Sequence, residues 1–299
     1  MTTLFDPKID YVFKNLFGCK NKPNILISFL NACIKSDKPI TKVTLRNTEI
    51  TKEYIEESFS RLDVLAETED GEVINIEMQR ADEKNMIKRS LYYWSKLYAS
   101  EYKGKSRYSS LPRTICINVL DFELLKEDNY HNVYLLKNKT NNNLLTDTIE
   151  MHFIEIPKMK EIKDDDMLSL WTAFLEDPHD EKLLKLENRY EDLHDARIEL
   201  TRISRDPKEA ERYRMRENAL NERKNALLET FDKGVKEGIK EGIKEGIKEG
   251  IKEGIKEGIK EGIMQEKLNI AKNLLQFLSD EDISKNTGLN VDAISKLRK

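Results

Sequence analysis

The chain has 299 residues, more than one compact domain usually needs, so its length predicts two or three structural units. Charged residues make up 35% of the chain and hydrophobic residues 38%, a polar balance that indicates an extended segment. No apolar run approaches the roughly 18 residues of a membrane span. The first residues carry neither the basic nor the apolar region of a secretory signal, and the three cysteines lack disulfide or zinc spacing. We therefore expect a cytoplasmic protein that makes no membrane contact.

The first half of the chain predicts one α/β domain that ends near residue 157. Apolar spacing favours a helix at 8–17, which Gly18 ends, and a second helix at 24–35, which Pro23 opens. A third, longer helix is predicted at 84–103. Apolar runs favour strands, which are expected near 41–47, 58–68, 72–80, 115–120, 132–137 and 148–156. The order of helix, strands, crossover helix and strand predicts a sheet covered by helices.

The second half of the chain is predicted to be helical throughout. Residues 158–233 show helical periodicity, and Pro178 and Pro207 divide this region into separate helices. Residues 234–263 are a tandem Gly-Ile-Lys-Glu repeat, and residues 264–299 form a small C-terminal unit. The sequence therefore predicts four parts, namely 1–157, 158–233, 234–263 and 264–299.

The repeat at 234–263 has two interpretations. Four residues advance about 400° around a helix, so the isoleucine column drifts by about 40° per repeat. Each glycine costs roughly 0.8–1.0 kcal/mol relative to alanine, which makes an isolated helix marginal. The repeat is therefore either a coiled-coil-like stalk, through which the protein forms a homo-oligomer, or a spacer of variable length.

Residues 282–297 have the pattern of a helix, a turn and a second helix. Gly288 lies at the turn, and Asn290 is placed to cap the second helix. The segment resembles a helix-turn-helix that contacts DNA. An alternative is a helical hairpin that packs on itself or on a partner.

Two acidic residues near the second predicted turn are candidates for chemistry. In the strand at 72–80, Glu77 and Gln79 share one face. A two-residue turn would place Asp63 opposite Met78, whereas a three-residue turn with a left-handed Gly71 would place Asp63 opposite Glu77. Facing side chains have Cβ atoms about 4.5–5.5 Å apart, near enough for both carboxylates to bind one Mg²⁺. The alternative is a hairpin with an ordinary solvated polar face.

Residues 80–113 form a basic and aromatic stretch. It contains nine basic and three acidic residues, together with five of the eleven tyrosines. Such a stretch can bind a phosphate backbone and stack on bases, and the expected DNA-binding residues are Arg80, Lys84, Lys88, Arg89, Tyr92 and Tyr93. The alternative is a helix whose apolar residues form one buried face, with the lysines in solvent; those residues are Leu91, Trp94, Leu97 and Tyr98.

Three segments of the chain resemble the Rpn-type recombination-promoting nucleases, which are PD-(D/E)XK nuclease family transposases. These segments are Phe5–Gly18, the hairpin with Asp63 and Glu77-Met78-Gln79, and Arg89–Ser95. The resemblance implies a restriction-endonuclease-like αβββαβ core and metal-dependent cleavage of DNA. It implies that Asp63 and Glu77 are metal ligands and that Gln79 occupies the position of the usual catalytic lysine.

Asp10 is a third candidate metal ligand, although it could instead pair with Lys14 one helical turn away. The resulting hypothesis is an endodeoxyribonuclease that uses Mg²⁺, or alternatively Mn²⁺, to activate the attacking water. The alternative is a catalytically inactive nuclease fold that acts as a DNA-binding or self-assembling module.

Overall fold

The computed structural model describes residues 4–47, 63–102, 104 and 107–298, apart from the side chains of 223 and 224. Within these ranges the helices are α1 (Asp10–Phe17), α2 (Pro23–Ile34), α3 (Met86–Ser100), α4 (Met167–Glu176), α5 (Glu181–Glu187), α6 (Glu191–Arg205), α7 (Pro207–Leu274), α8 (Asp280–Thr287) and α9 (Val291–Leu297). The strands are β1 (Val43–Leu45), β2 (Val64–Thr68), β3 (Val73–Gln79), β4 (Thr114–Leu120), β5 (His131–Lys137) and β6 (Leu144–Glu155). The chain is thus a mixed α/β protein with a long C-terminal helix.

The strands form one six-stranded sheet in the order β1-β2-β3-β4-β6-β5. The first three strands pair in antiparallel fashion, β3, β4 and β6 run parallel, and β5 pairs antiparallel with β6. α3 connects β3 to β4, because parallel neighbours require a crossover. The central strand β4 is buried along its whole length, as expected for a strand covered on both faces.

The main core lies between one face of the sheet and the helices of both chain halves. It includes Ile74 and Ile117 from the sheet, Phe17 from α1, and Trp171 and Leu200 from α4 and α6. The predicted boundary near residue 157 therefore does not coincide with a break in the core. The first compact unit continues to Leu220, because the apolar faces of α4–α6 are buried against α1 and α2.

Local signals account for most of the predicted elements. Pro23 occupies the first turn of α2, and Gly18 is the C-cap of α1. Strand and helix positions agree with the predictions to within a few residues. The parts of the predicted elements at 58–62 and at 103 lie outside the described residues.

The second compact unit comprises residues 221–299. Its small core contains Ala271, Ile283, Leu289 and Ile294. Gly288 ends α8 with φ +67°, and the Asn290 side chain accepts the Asp292 N–H at 3.2 Å to cap α9. The predicted helix, turn and helix are therefore present. Among the described residues no helix is both long and apolar enough to cross a membrane.

Candidate active site

The turn between β2 and β3 determines where Asp63 lies. The Thr68 N–H donates to the Glu72 carbonyl at 3.0 Å, so the turn that this bond closes has three residues, Glu69–Gly71. Gly71 has φ +84°, a conformation that glycine adopts without strain. The Gly71 N–H donates to the Thr68 carbonyl at 3.0 Å. Val64 pairs with Ile76 and Leu65 with Asn75, so this register places Asp63 opposite Glu77. The structure thus contains the three-residue turn, the arrangement that brings the two acids together.

Asp63 and Glu77 lie opposite each other, and each carboxylate also accepts a backbone N–H from the facing segment. The Asp63 Oδ2 atom accepts the Met78 N–H at 2.8 Å, and the Glu77 carboxylate accepts the Asp63 N–H. Asn75, two residues before Glu77 on the same strand face, donates from Nδ2 to Glu77 Oε1 at 3.3 Å. Asp63 is partly buried and Glu77 is only 3% exposed. These bonds hold both carboxylates on the rigid sheet.

The electrostatics of this pair are dominated by burial. Burial raises the pKa of the Glu77 carboxyl above its ordinary range, and the neighbouring Asp63 charge raises it further. Burial also raises the pKa of Asp63, and Asp10 adds to that effect. The Arg89 guanidinium acts in the opposite direction on both groups. Burial is the largest cause for both groups, so the uncharged form of each carboxyl is favoured, and a bound cation would instead stabilise the charged form.

α3 lies over the sheet face that carries Glu77. The buried Ser90 hydroxyl donates to Asn118 Oδ1 at 2.8 Å, and Asn118 is the residue of β4 that pairs with Glu77. The Asn118 amide in turn donates to the His152 carbonyl at 3.0 Å. This polar chain fixes the N-terminal half of α3 beside the two acids.

Asp10, the third predicted acid, forms a two-point ion pair with Arg216 of α7. The Arg216 Nε atom donates to Asp10 Oδ1 at 2.9 Å, and Arg216 Nη2 pairs with Asp10 Oδ2. The Asp10 charge reaches Asp63 and raises its pKa, so the three groups are neighbours. In the described part of the chain, no group of three or more His, Cys, Asp or Glu residues is placed to hold a metal ion.

The predicted DNA-binding residues lie at the end of β3 and along α3. Lys84 and Lys88 are exposed, and Tyr92 is 41% exposed. Arg80 contacts Asp6 at 3.3 Å and Asp121 at 3.6 Å. Tyr93 is partly buried against Leu97 and Val73, and it accepts a hydrogen bond from Arg89 Nε at 3.1 Å.

The alternative interpretation of α3 is a single buried apolar face, and only some of its residues are buried. Leu97 is buried, and Trp94 packs on the core while its Nε1 donates to the Thr114 carbonyl at 3.0 Å. Leu91, however, is 45% exposed and lies next to the exposed Tyr92. The outer face of α3 therefore combines basic side chains with exposed apolar and aromatic surface.

Comparison with known sequence families shows to which family the chain belongs. The sequence model of the PD-(D/E)XK nuclease family transposases matches residues 7–230, well over half of the chain. The chain belongs to this family. Neither a curated protein nor a solved structure gives a match. The mixed α/β sheet with its flanking helices is consistent with a PD-(D/E)XK fold.

Gln79 lies two residues after Glu77, at the position where the PD-(D/E)XK motif has its lysine. Gln79 is the last residue of β3 and is half-buried. Its backbone carbonyl accepts the Asp121 N–H at 2.9 Å, which keeps β3 and β4 together at this end of the sheet. The side chain lies on the same strand face as Glu77, but it is neutral.

The extent of the family match agrees with the first compact unit and not with the predicted boundary at 157. The match runs through α4, α5 and α6 and into α7, the helix that carries Arg216. Sequence reasoning missed Arg216 because 206 residues separate it from Asp10. No motif or spacing in 207–220, where basic and acidic residues are mixed, indicates this contact.

Proposed function

We propose that the chain is a metal-dependent endodeoxyribonuclease of the recombination-promoting, transposase-like type. The β2–β3 register carries this proposal, because it places Asp63 opposite Glu77 on one face of the sheet. Membership of a nuclease family supports the reaction class. The substrate is a DNA phosphodiester bond, and water is the nucleophile.

The donor set of this site fits Mg²⁺, and Mn²⁺ as an alternative. Hard cations prefer carboxylate oxygens, and Mg²⁺ is commonly held by one or two carboxylates together with waters and substrate phosphate. Burial is the main reason that the pKa values of both acids are raised, so a bound cation would compete with the proton for their oxygens. When bound, the ion would lower the pKa of a water and neutralise charge on the scissile phosphate.

The residues of the chain have distinct roles in this proposal. Asp63 and Glu77 hold the cation, and their backbone hydrogen bonds orient their oxygens. Gln79 orients the water or a phosphate oxygen but takes up no proton. Asp10 is a further ligand only once it leaves Arg216. Lys84, just before α3, and Lys88 and Tyr92 on the exposed side of α3 contact the DNA backbone and bases, with Arg80, Arg89 and Tyr93 beside them.

Cleavage of supercoiled plasmid by the full-length chain tests this function. With Mg²⁺ or Mn²⁺ the wild type is expected to produce nicked or linear DNA. Asp63→Asn and Glu77→Gln are expected to slow cleavage by at least about 10³-fold, since a metal ion contributes several kcal/mol to such a reaction. Asp70→Asn is the matched control, because Asp70 is an exposed acid in the same hairpin that pairs with Lys38.

A second function, a catalytically inactive DNA-binding module, is favoured by one observation, the neutral Gln79. This function predicts that the wild type shifts DNA in a gel mobility assay but does not cleave it with any divalent metal ion. Wild-type cleavage that Asp63→Asn leaves unchanged would instead contradict the assigned site. The assay therefore separates the two functions.

We also propose that the repeat at 234–263 joins copies of the chain into a homo-oligomer. Ile239, Ile243, Ile247, Ile251, Ile255 and Ile259 are 58–59% exposed on α7, and the glycines beside them leave room for close approach. A second copy offers the same apolar column and the same alternating Lys and Glu. Light scattering tests this, and deletion of 234–263 is expected to reduce the measured mass to that of one chain. An unchanged mass would favour the variable-length spacer.

A further inference from the structure

The candidate site has two acids but a neutral residue where the family motif has its lysine. Hydrolysis of a phosphodiester increases the negative charge on the non-bridging oxygens in the transition state, and a fixed cation stabilises that charge. Gln79 cannot supply it. This inference rests on the proposed function and asks which side chain provides the missing charge.

Arg89 is placed beside the acids by its own helix. The next residue, Ser90, is buried and bonded to Asn118, and Asn118 pairs with Glu77 across β3 and β4. Arg89 therefore lies on the turn of α3 that is fixed against the site. Its side chain is 29% exposed, which leaves it accessible to a substrate at the surface.

The Arg89 guanidinium is held in a defined orientation by Tyr93. Its centre lies 5.4 Å from the centroid of the Tyr93 ring, and its Nε donates to the Tyr93 hydroxyl at 3.1 Å. Arg89 Nη1 is 3.8 Å from Glu83 Oε2. Tyr93 and Glu83 thus restrict the orientation of the guanidinium.

The other cations near the site are less well placed for this task. Arg216 is engaged by Asp10 in a two-point ion pair. Lys14 lies on α1, whereas Arg89 lies on α3, the helix that is bonded through Ser90 to the β4 residue paired with Glu77. Arg89 is thus tied to the site by the packing of its own helix.

We propose that Arg89 is the catalytic cation of this site and contacts the non-bridging oxygens of the scissile phosphate in place of the motif lysine. The guanidinium suits this role, because it stays protonated and its planar fork can donate two bonds to one phosphate. In the reaction, water forms a new P–O bond while one P–O ester bond breaks. The water gives up one proton, and the leaving oxygen ends with one proton, exchanged through solvent. Arg89 keeps all its protons and stabilises charge only.

Single-turnover cleavage by the full-length chain with Mn²⁺ tests this role, with DNA affinity measured separately in Ca²⁺. Arg89→Ala is expected to lower the cleavage rate constant about 10²-fold, the loss typical of removing one transition-state donor. The DNA Kd is expected to change by less than about threefold, because the contact strengthens only in the transition state. Arg205→Ala, an exposed arginine at the end of α6, is the matched control and is expected to leave both values unchanged.

The double variant Arg89→Ala/Gln79→Lys provides a rescue. It restores a lysine at the motif position and is expected to cleave at least about tenfold faster than Arg89→Ala alone. Should Arg89→Ala fail to fold by circular dichroism, Arg89→Lys keeps the charge without the fork and is expected to be about tenfold slower than wild type with a normal fold.

Several outcomes overturn the inference. An Arg89→Ala rate equal to wild type does so, as does a rate loss that is explained by an equal loss of DNA affinity. Absence of rescue by Gln79→Lys also contradicts the shared role. A wild type that cleaves no DNA overturns the proposed function together with this inference, whereas a cleaving wild type with unimpaired Arg89→Ala overturns the inference alone.

Discussion

The β2–β3 hairpin and the repeat at 234–263 depart from ordinary burial in opposite ways. Glu77, a charged residue, is 3% exposed, whereas Ile247, an apolar residue, is 58% exposed. Acidic residues are almost never fully buried without a partner, and a long exposed apolar column marks an interaction surface. In each region, a residue type lies in an environment that is unusual for it, and the functions proposed above would explain both cases.

The two regions differ in what holds them in place. The hairpin belongs to a sheet whose core contains Phe17, Phe29 and Trp171 in mutual ring contact. The repeat helix has glycine at every fourth position, and helix propensity alone leaves it marginal. The hairpin is therefore supported by the packing around it, whereas the proposed association would stabilise the repeat beyond its own helix propensity. The proposed nuclease site thus lies on a stable scaffold, whereas the proposed oligomer would depend on association.

The largest expected effect is on the scaffold. Trp171 is fully buried, its ring contacts Phe17, Phe29 and Phe174, and its Nε1 donates to Ser28 Oγ at 3.2 Å. Trp171→Ala is expected to lower the free energy of unfolding by about 3–5 kcal/mol, because it leaves a large cavity and removes a hydrogen bond. Ile247→Ala in the repeat is expected to cost less than about 0.5 kcal/mol in dilute solution. Chemical denaturation measures both.

Hydrogen exchange in the Trp171→Ala variant shows whether α4 and the sheet unfold together. Amides of β3 and β4 are expected to exchange faster, because Ile74, Ile117 and Trp171 share one core. Unchanged protection of these strands would support a separate domain after residue 157.

The hairpin was predictable from sequence because its signals are local. Alternation along residues 73–79 assigns Glu77 to one face, and only two turn lengths fit Asp70-Gly71. The choice between the two turns depended on the backbone conformation of Gly71. Glycine can adopt the left-handed conformation, but its presence in the sequence does not require that conformation. The sequence thus reduced the site to two arrangements, and the structure contains one of them.

The parts that sequence reasoning missed depend on long-range packing. Asp10 meets Arg216 across the fold, and no periodicity in either helix indicates that contact. The boundary at 157 was inferred from the change from strands to helices, although helices of the second half pack on α1 and α2. Leu91 fits a helical apolar stripe but is exposed, since α3 covers the sheet with a narrow face.

An intermediate effect is expected from the buried charge in the hairpin. The raised pKa of Glu77 means that the folded state retains a proton that the unfolded chain has already released. Stability in the absence of metal should therefore fall as pH rises from the ordinary carboxyl range, about 4, through neutrality. The loss is expected to be on the order of 2 kcal/mol and is measured by denaturation between pH 5 and pH 8.

Glu77→Gln serves as the comparison for this pH dependence, because it is neutral at every pH and similar in shape. Its stability is expected to change less between pH 5 and pH 8. Added Mn²⁺ is expected to stabilise the wild type more at pH 8 than at pH 5, since the cation competes with the proton. A wild-type pH slope that persists unchanged in Glu77→Gln would show that another group is responsible.

The smallest expected effects come from glycines, which have opposite roles in the two regions. Gly246 lies in the repeat helix, and an added Cβ would meet nothing within 4 Å in the described part of the chain. Gly246→Ala is therefore expected to stabilise the helix by about 0.8–1.0 kcal/mol and to slow amide exchange of neighbouring repeats about fivefold. Gly71→Ala, by contrast, is expected to destabilise the hairpin by about 1–2 kcal/mol, because its φ of +84° is strained for alanine. Faster or unchanged exchange in Gly246→Ala would mean that the repeat is not helical in solution. It would also remove the basis for a continuous isoleucine column along the helix.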